Sequence, residues 1–144
     1  MSSLQAFFER AGVPSIDAAG VEAFLAGAGD DVLLLFAGDP AERVEAMDVA
    51  VIFPELLKAF RGRLSGAVVA DGAEKSLGAR FCVDVLPSLA VIRNGATIGV
   101  IPRIRDWAEY LAKIEAFLDP ATKPLAKSAA PRVEFKFSQK GANA

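Results

Sequence analysis

Any chemistry in this chain has to be done without histidine, because its 144 residues contain none. That removes the imidazole general base, the Ser-His and Cys-His nucleophile pairs, and every metal site built on imidazole. One cysteine, Cys82, is too few for a thiolate zinc site or an internal disulfide. The glycines of "LAGAGDD" are spread apart and lack the Lys-Ser/Thr that completes a phosphate-cradling loop. No catalytic residue, cofactor or metal ligand is therefore expected. What remains is the carboxylate series Asp39, Glu42, Glu45 and Asp48, the proline corner at Pro87, and Cys82 itself.

Asp39 reads as a helix N-cap, with Pro40 at the first helical position and Glu42 at the third, a capping box with aspartate as the cap. On that reading Glu45 and Asp48 lie beyond the first turn and neither serves as a cap. Arg43 offsets only part of their charge. A solvated helix face is the ordinary account; the functional one is a dock for a basic peptide, whose arginines would meet bidentate carboxylate acceptors. Cys82, between Phe81 and Val83, reads as a small buried hydrophobe with no resolving thiol and no histidine to form its thiolate.

The elements that would position these residues follow from periodicity and turn chemistry. "LQAFFER" has helical apolar spacing, and Val13 to Ile16 reads as a brief extended piece. A helix enters near Asp17, with Val21, Phe24 and Leu25 inward. Val32 to Phe36 is a continuous apolar run suited to a strand buried on both faces. The Asp39 helix should continue through "VAVIFPELLKAFRG", kinked or restarted at Pro54. "LSGAVVA" reads as a strand and "EKSLGARF" as a helix. "PSLAVIR" and "ATIGVI" form two strands joined by Asn94-Gly95, a hairpin turn whose residues tolerate positive φ. A last helix starts at Asp106, with Trp107, Tyr110, Leu111, Ile114 and Phe117 as its buried stripe. The order βαβαββα after an N-terminal helix predicts an α/β fold, a central mixed sheet with helices on both faces.

Charge divides the chain. Residues up to Pro120 hold 11 basic and 17 acidic side chains, whereas from Ala121 onward five basic residues face Glu134 alone. A body over 1–120 and a basic, Pro/Ala/Lys-rich tail over 121–144 are expected, with "RVEFKF" the one alternating, strand-like piece of the tail. Hydrophobic residues make up 53% of the chain, yet no unbroken apolar run is long enough to cross a bilayer. The start "MSSLQAFFER" has neither a basic region ahead of an apolar stretch nor a small-residue cleavage site, so no secretory signal is expected. A lone cysteine suits a reducing compartment, and a cytoplasmic location is expected.

Across roughly residues 13 to 118 this order resembles thioredoxin: "FPELLKAF" matches that fold's proline-kinked helix, and "VLPSLAVIRNG" its cis-proline strand and hairpin. Where thioredoxins carry Cys-x-x-Cys, this chain has "AGDPAERVEA". More closely, "LLLFAGDPAERVEAMDVAVIFPELLKAF", "GARFCVDVLPSLAVIRNG" and "RIRDWAEYL" resemble the HupG/HyaE family of hydrogenase expression proteins, which are thioredoxin-like but lack the active-site cysteines. The resemblance implies a thioredoxin-like fold with a cis bond before Pro87. It also implies a non-enzymatic, cytoplasmic chaperone in maturation of a membrane-bound [NiFe] uptake hydrogenase. The implied partner is the small-subunit precursor with its twin-arginine signal peptide before export, with other hydrogenase maturation proteins as further partners. Nucleic-acid binding and membrane insertion are not expected. The competing readings are a monothiol redox protein using Cys82 and a structural subunit of a maturation assembly.

Because release of a mixed disulfide needs a second sulfur, the purified protein is expected to show no disulfide reductase activity. Insulin reduction that disappears in Cys82→Ser would overturn this expectation.

Overall fold

Val32 to Phe36 carries five apolar side chains in succession, and the fold sends them to two different places. The computed structural model describes residues 3–29 and 31–125, and in it this run forms strand β2 (Asp31–Phe36) at the centre of a five-stranded sheet. Side chains alternate across a strand. Leu33 and Leu35 enter one core, Val32, Leu34 and Phe36 the other, and all five are essentially fully buried.

Helices α1 (Ser3–Ala11), α3 (Glu45–Ala59) and α5 (Trp107–Leu118) cover the first face. Helices α2 (Val21–Ala28) and α4 (Glu74–Phe81) cover the second. The remaining strands are β1 (Ser15–Ile16), β3 (Leu64–Val69), β4 (Ser88–Arg93) and β5 (Ala96–Pro102), in spatial order β1-β3-β2-β4-β5. β1, β3 and β2 run parallel; β4 pairs antiparallel with β2, and β5 antiparallel with β4. This is the thioredoxin-like α/β sheet with helices on both faces that the element order predicts.

Local signals account for most boundaries. Asn94 and Gly95 both have positive φ, at 52° and 80°, as a two-residue turn matching the strand twist requires. Asp106 caps α5 by accepting the Glu109 N–H at 2.9 Å. α3 passes through Pro54 as one helix rather than restarting. The lost backbone bond, a cost of about 3 kcal/mol, is offset by burial of Val49, Phe53 and Leu56 on the same helix, each contributing roughly 1.5–3 kcal/mol. Asp17 accepts the Gly20 N–H, and α2 begins just after, at Val21.

Trp107 departs from the expected stripe. Tyr110, Ile114 and Leu118 are buried, and Leu111 and Phe117 pack partly against the core, but Trp107 remains 42% exposed. It is the first residue of α5, and helical side chains lean toward the N-terminus.

At the hairpin end of the sheet, Arg93 ties several pieces together. Its Nε and Nη2 donate to the Asp31 carboxylate, with Nη2 at 2.7 Å from Oδ2, while Nη2 also donates to Phe117 O and Nη1 to Thr122 O. Thr122 Oγ1 donates to Ala116 O at 2.6 Å, and the Leu125 N–H donates to Thr97 O at 2.8 Å. The first residues after Pro120 are thus hydrogen-bonded to the body. "RVEFKF" lies outside the described residues.

Arg93→Ala strands the Asp31 carboxylate and two carbonyls. Urea unfolding is expected to show a loss of about 1.5–3 kcal/mol, the range for hydrogen bonds to charged groups.

Candidate functional site

Parallel strands β2 and β3 end on the side from which antiparallel β4 begins, so the loops following β2 and β3 meet the loop preceding β4. Crevices beyond the carboxyl ends of parallel strands are the usual ligand positions in α/β sheets. Here the crevice is a groove of about 820 Å³. Glu42, Arg43 and Val44 form one wall, Asp71, Glu74 and Lys75 another, and Val85, Leu86 and Pro87 close it alongside Arg103.

The carboxylate series is arranged differently from the sequence expectation. Asp39 does not cap α3. Its carboxylate accepts the Ala41 N–H at 2.9 Å, and its carbonyl accepts from the Glu42 and Arg43 N–H groups, making a closed turn that ends before the helix. Aspartate competes in this way wherever its side chain satisfies nearby backbone donors. Gly38, at φ 85°, sets up that turn; a side chain there would collide with Arg43, whose Cδ lies 2.8 Å from the place of a Cβ. α3 begins at Glu45 with Val44 ahead of it, so Glu45 and Asp48 are its first-turn acids and favour its dipole.

Glu45 also carries a structural duty that the sequence reading, which denied it only the role of a cap, did not assign. Arg103 Nε and Nη2 donate to its two oxygens at 3.1 and 2.5 Å, and the Ile104 N–H donates to Oε1 at 3.0 Å. The Arg103 hydrogen bonds and then the Ile104 amide hold the Glu45 carboxyl below the usual carboxylate range. Arg103 itself has φ 66°, and its backbone N–H donates to Pro87 O at 2.8 Å. Tyr110, fully buried, accepts from the Arg105 N–H and donates to Arg103 O; burial raises its phenol above the usual value. The start of α3, the Pro87 corner and the β5–α5 loop are therefore fastened together. The Leu86–Pro87 peptide is cis.

Of the sequence-derived residues, Glu42, Glu45 and Pro87 line the groove, while Asp39 and Asp48 are exposed outside its lining. Cys82 is not part of the lining either. It ends α4 in the left-handed region at φ 68°, followed by a Val83 N–H to Gly78 O bond of 2.8 Å. Gly78 permits this close return, since a Cβ there would stand 3.0 Å from Val83 O.

Glu74 and Arg103 escaped the sequence reading. Glu74 is partly buried, and its Oε2 accepts the Gly38 N–H at 2.9 Å. Burial lifts its carboxyl above the usual range against the pull of that bond; Asp71 and Asp39 add to the rise, and Arg43 opposes it. An apolar stripe leaves the groove along α3: Val44, 88% exposed, then Met47 and Val51, spaced to share one helix face. No described helix is long and apolar enough to cross a membrane.

The family model for hydrogenase-1 expression protein HyaE matches residues 4–110. The chain belongs to the HyaE family. It is 48% identical over 140 residues to the hydrogenase expression/formation protein HupG of Rhizobium leguminosarum bv. viciae, covering 95% of this chain and 94% of that one. It is 42% identical over 107 residues to the hydrogenase expression/formation protein HoxO of Azotobacter vinelandii, covering 74% and 71% respectively. Among solved structures it resembles a hydrogenase expression/formation protein HupG from Rhodopseudomonas palustris CGA009, with a TM-score of 0.55 and 49% identity over 77% of this chain and 99% of that one. In this HyaE-family chain the groove occupies the place where the thioredoxin order would put a dithiol, and "AGDPAERVEA" supplies its loop.

A carboxyl held low in the folded state adds stability above the usual carboxylate range, and that stability is lost as pH falls through the lowered value. Glu45→Gln is thus expected to lower the melting temperature at neutral pH, with its difference from wild type shrinking on acidification. Thermal melts of both proteins across pH 3 to 7, a range of roughly four units around the carboxylate region, check this.

Proposed function

We propose that this protein is a non-enzymatic, cytoplasmic chaperone in maturation of a membrane-bound [NiFe] uptake hydrogenase. It binds the small-subunit precursor through its twin-arginine signal peptide before export, and meets other hydrogenase maturation proteins in doing so. The HyaE family match and the relatives named hydrogenase expression/formation proteins support the pathway.

The groove is the observation that carries the binding mode. With Glu45 and Arg103 engaged to each other, four lining carboxylates, Glu42, Asp71, Glu74 and Asp84, face two cations, Arg43 and Lys75. An excess of negative charge beside exposed Val44, Met47 and Val51 suits a segment that is basic and then apolar. Asp39, Glu42 and Asp48 extend the acidic surface around the start of α3, and Pro87 shapes the opposite lip. Glu45 belongs to this surface through its contact with Arg103, so its replacement mixes folding with binding.

Co-purification with the small-subunit precursor, with and without its signal peptide, tests the partner. Glu42→Lys combined with Asp48→Lys leaves the Glu45 contacts intact. It is expected to weaken precursor binding by about 0.2–1 kcal/mol per exposed pair. Raised salt should weaken wild-type binding in the same direction, since such pairs are screened over roughly 8 Å at physiological ionic strength. Equal affinities across both proteins and both salts, measured by calorimetry, would remove the acidic surface from the binding site.

A further inference from the structure

We propose that Glu74, partly buried in the groove, is the specificity-determining acceptor for an arginine side chain of the bound segment. This rests on the signal-peptide reading above and assigns to it a residue outside the acidic series at the start of α3.

Three observations converge on this carboxylate. First, among the described residues Glu74 is the one carboxylate that lacks an ion pair and is not exposed; its neighbours without one, Asp39, Glu42, Asp71 and Asp84, all lie at the surface. Second, its surroundings disfavour its charge. It is partly removed from water, and Asp71 and Asp39 act on it as like charges, against which the Gly38 hydrogen bond and Arg43 work in the opposite direction; Lys75 lines the same groove. Third, its geometry is preset, because Gly38 donates to Oε2 from a buried backbone position in the loop after β2.

A carboxyl whose value is raised on folding lowers stability as pH climbs from the usual carboxylate range through the raised value. At neutral pH Glu74 is therefore a cost to the folded protein. The residue is explained if a cation delivered by a partner offsets that cost.

Arginine fits better than lysine. A planar guanidinium offers five N–H donors, enough to reach the free oxygen of Glu74 and the nearby Asp71 together, while its flat face lies on apolar surface. Leu86 and Pro87 supply such surface in the same groove. A lysine ammonium would satisfy the charge without the fork.

The test uses the full chain and three synthetic peptides, each a pair of basic or neutral residues followed by an apolar run: Arg-Arg, Lys-Lys and Gln-Gln. The variant is Glu74→Gln, whose amide oxygen keeps the Gly38 bond. Its melting temperature at neutral pH should equal or exceed that of the wild type, which separates binding from folding. Wild type should bind the Arg-Arg peptide more tightly than Lys-Lys, and Gln-Gln least. Glu74→Gln should lose roughly tenfold or more in affinity for Arg-Arg and little for Gln-Gln. Wild-type affinity for Arg-Arg should begin to fall on acidification at a higher pH than the affinity of Glu74→Gln, which keeps the other groove carboxylates, Glu42, Asp71 and Asp84. Unchanged Arg-Arg affinity in Glu74→Gln, with the wild type binding normally, would overturn the assignment of Glu74 alone. Failure of the wild type to bind any of the peptides would overturn the signal-peptide reading and this assignment with it.

Discussion

Strand β2 is the constraint from which the rest of the molecule follows. Its five apolar side chains have to be removed from water on both faces, so helices are needed above and below, and the chain supplies three on one side and two on the other. Its two edges are paired in opposite senses, β3 parallel and β4 antiparallel. That mixed pairing turns the chain so that the β4 entry and the ends of β2 and β3 open on the same side. The groove is a geometric result of how β2 is buried.

The groove walls are held unequally. One side is fastened by Glu45, Arg103 and Pro87, backed by the Tyr110 hydroxyl, so the start of α3 and the proline corner are locked to the β5–α5 loop. On the other side Glu74 is joined to the loop after β2 by one hydrogen bond, donated by the Gly38 N–H. Stable contacts thus frame an electrostatically unfavourable centre. Such a division is typical of binding sites, where part of the stability available to a fold is given up to ready a group for its ligand.

What could be read directly from the sequence was local. Asn94-Gly95, the Asp106 cap, and the apolar run of β2 each act within a few residues, and all appear where their chemistry places them. The start of α3 was less legible because Asp39 has two local options, capping a helix or closing a turn, and the positive φ of Gly38 favours the turn. The Glu45–Arg103 contact joins positions 58 apart, and no spacing rule connects them. Glu74 opens an ordinary short helix, α4, and only the Gly38 hydrogen bond from the loop after β2 marks it out. The exposure of Trp107 depends on where its helix meets the core, which periodicity does not encode.

The Leu125–Thr97 backbone bond fixes Leu125, the last described residue, at the hairpin end of the sheet. Thr97 lies near the hairpin, while Pro102, at the other end of β5, stands beside the groove. Five residues of strand, roughly 17 Å, separate the two. A surface linkage made at Leu125 would attach at the pole opposite the groove and leave its mouth unobstructed. This makes Leu125 a natural place to immobilise the protein when a partner is to be offered to the groove.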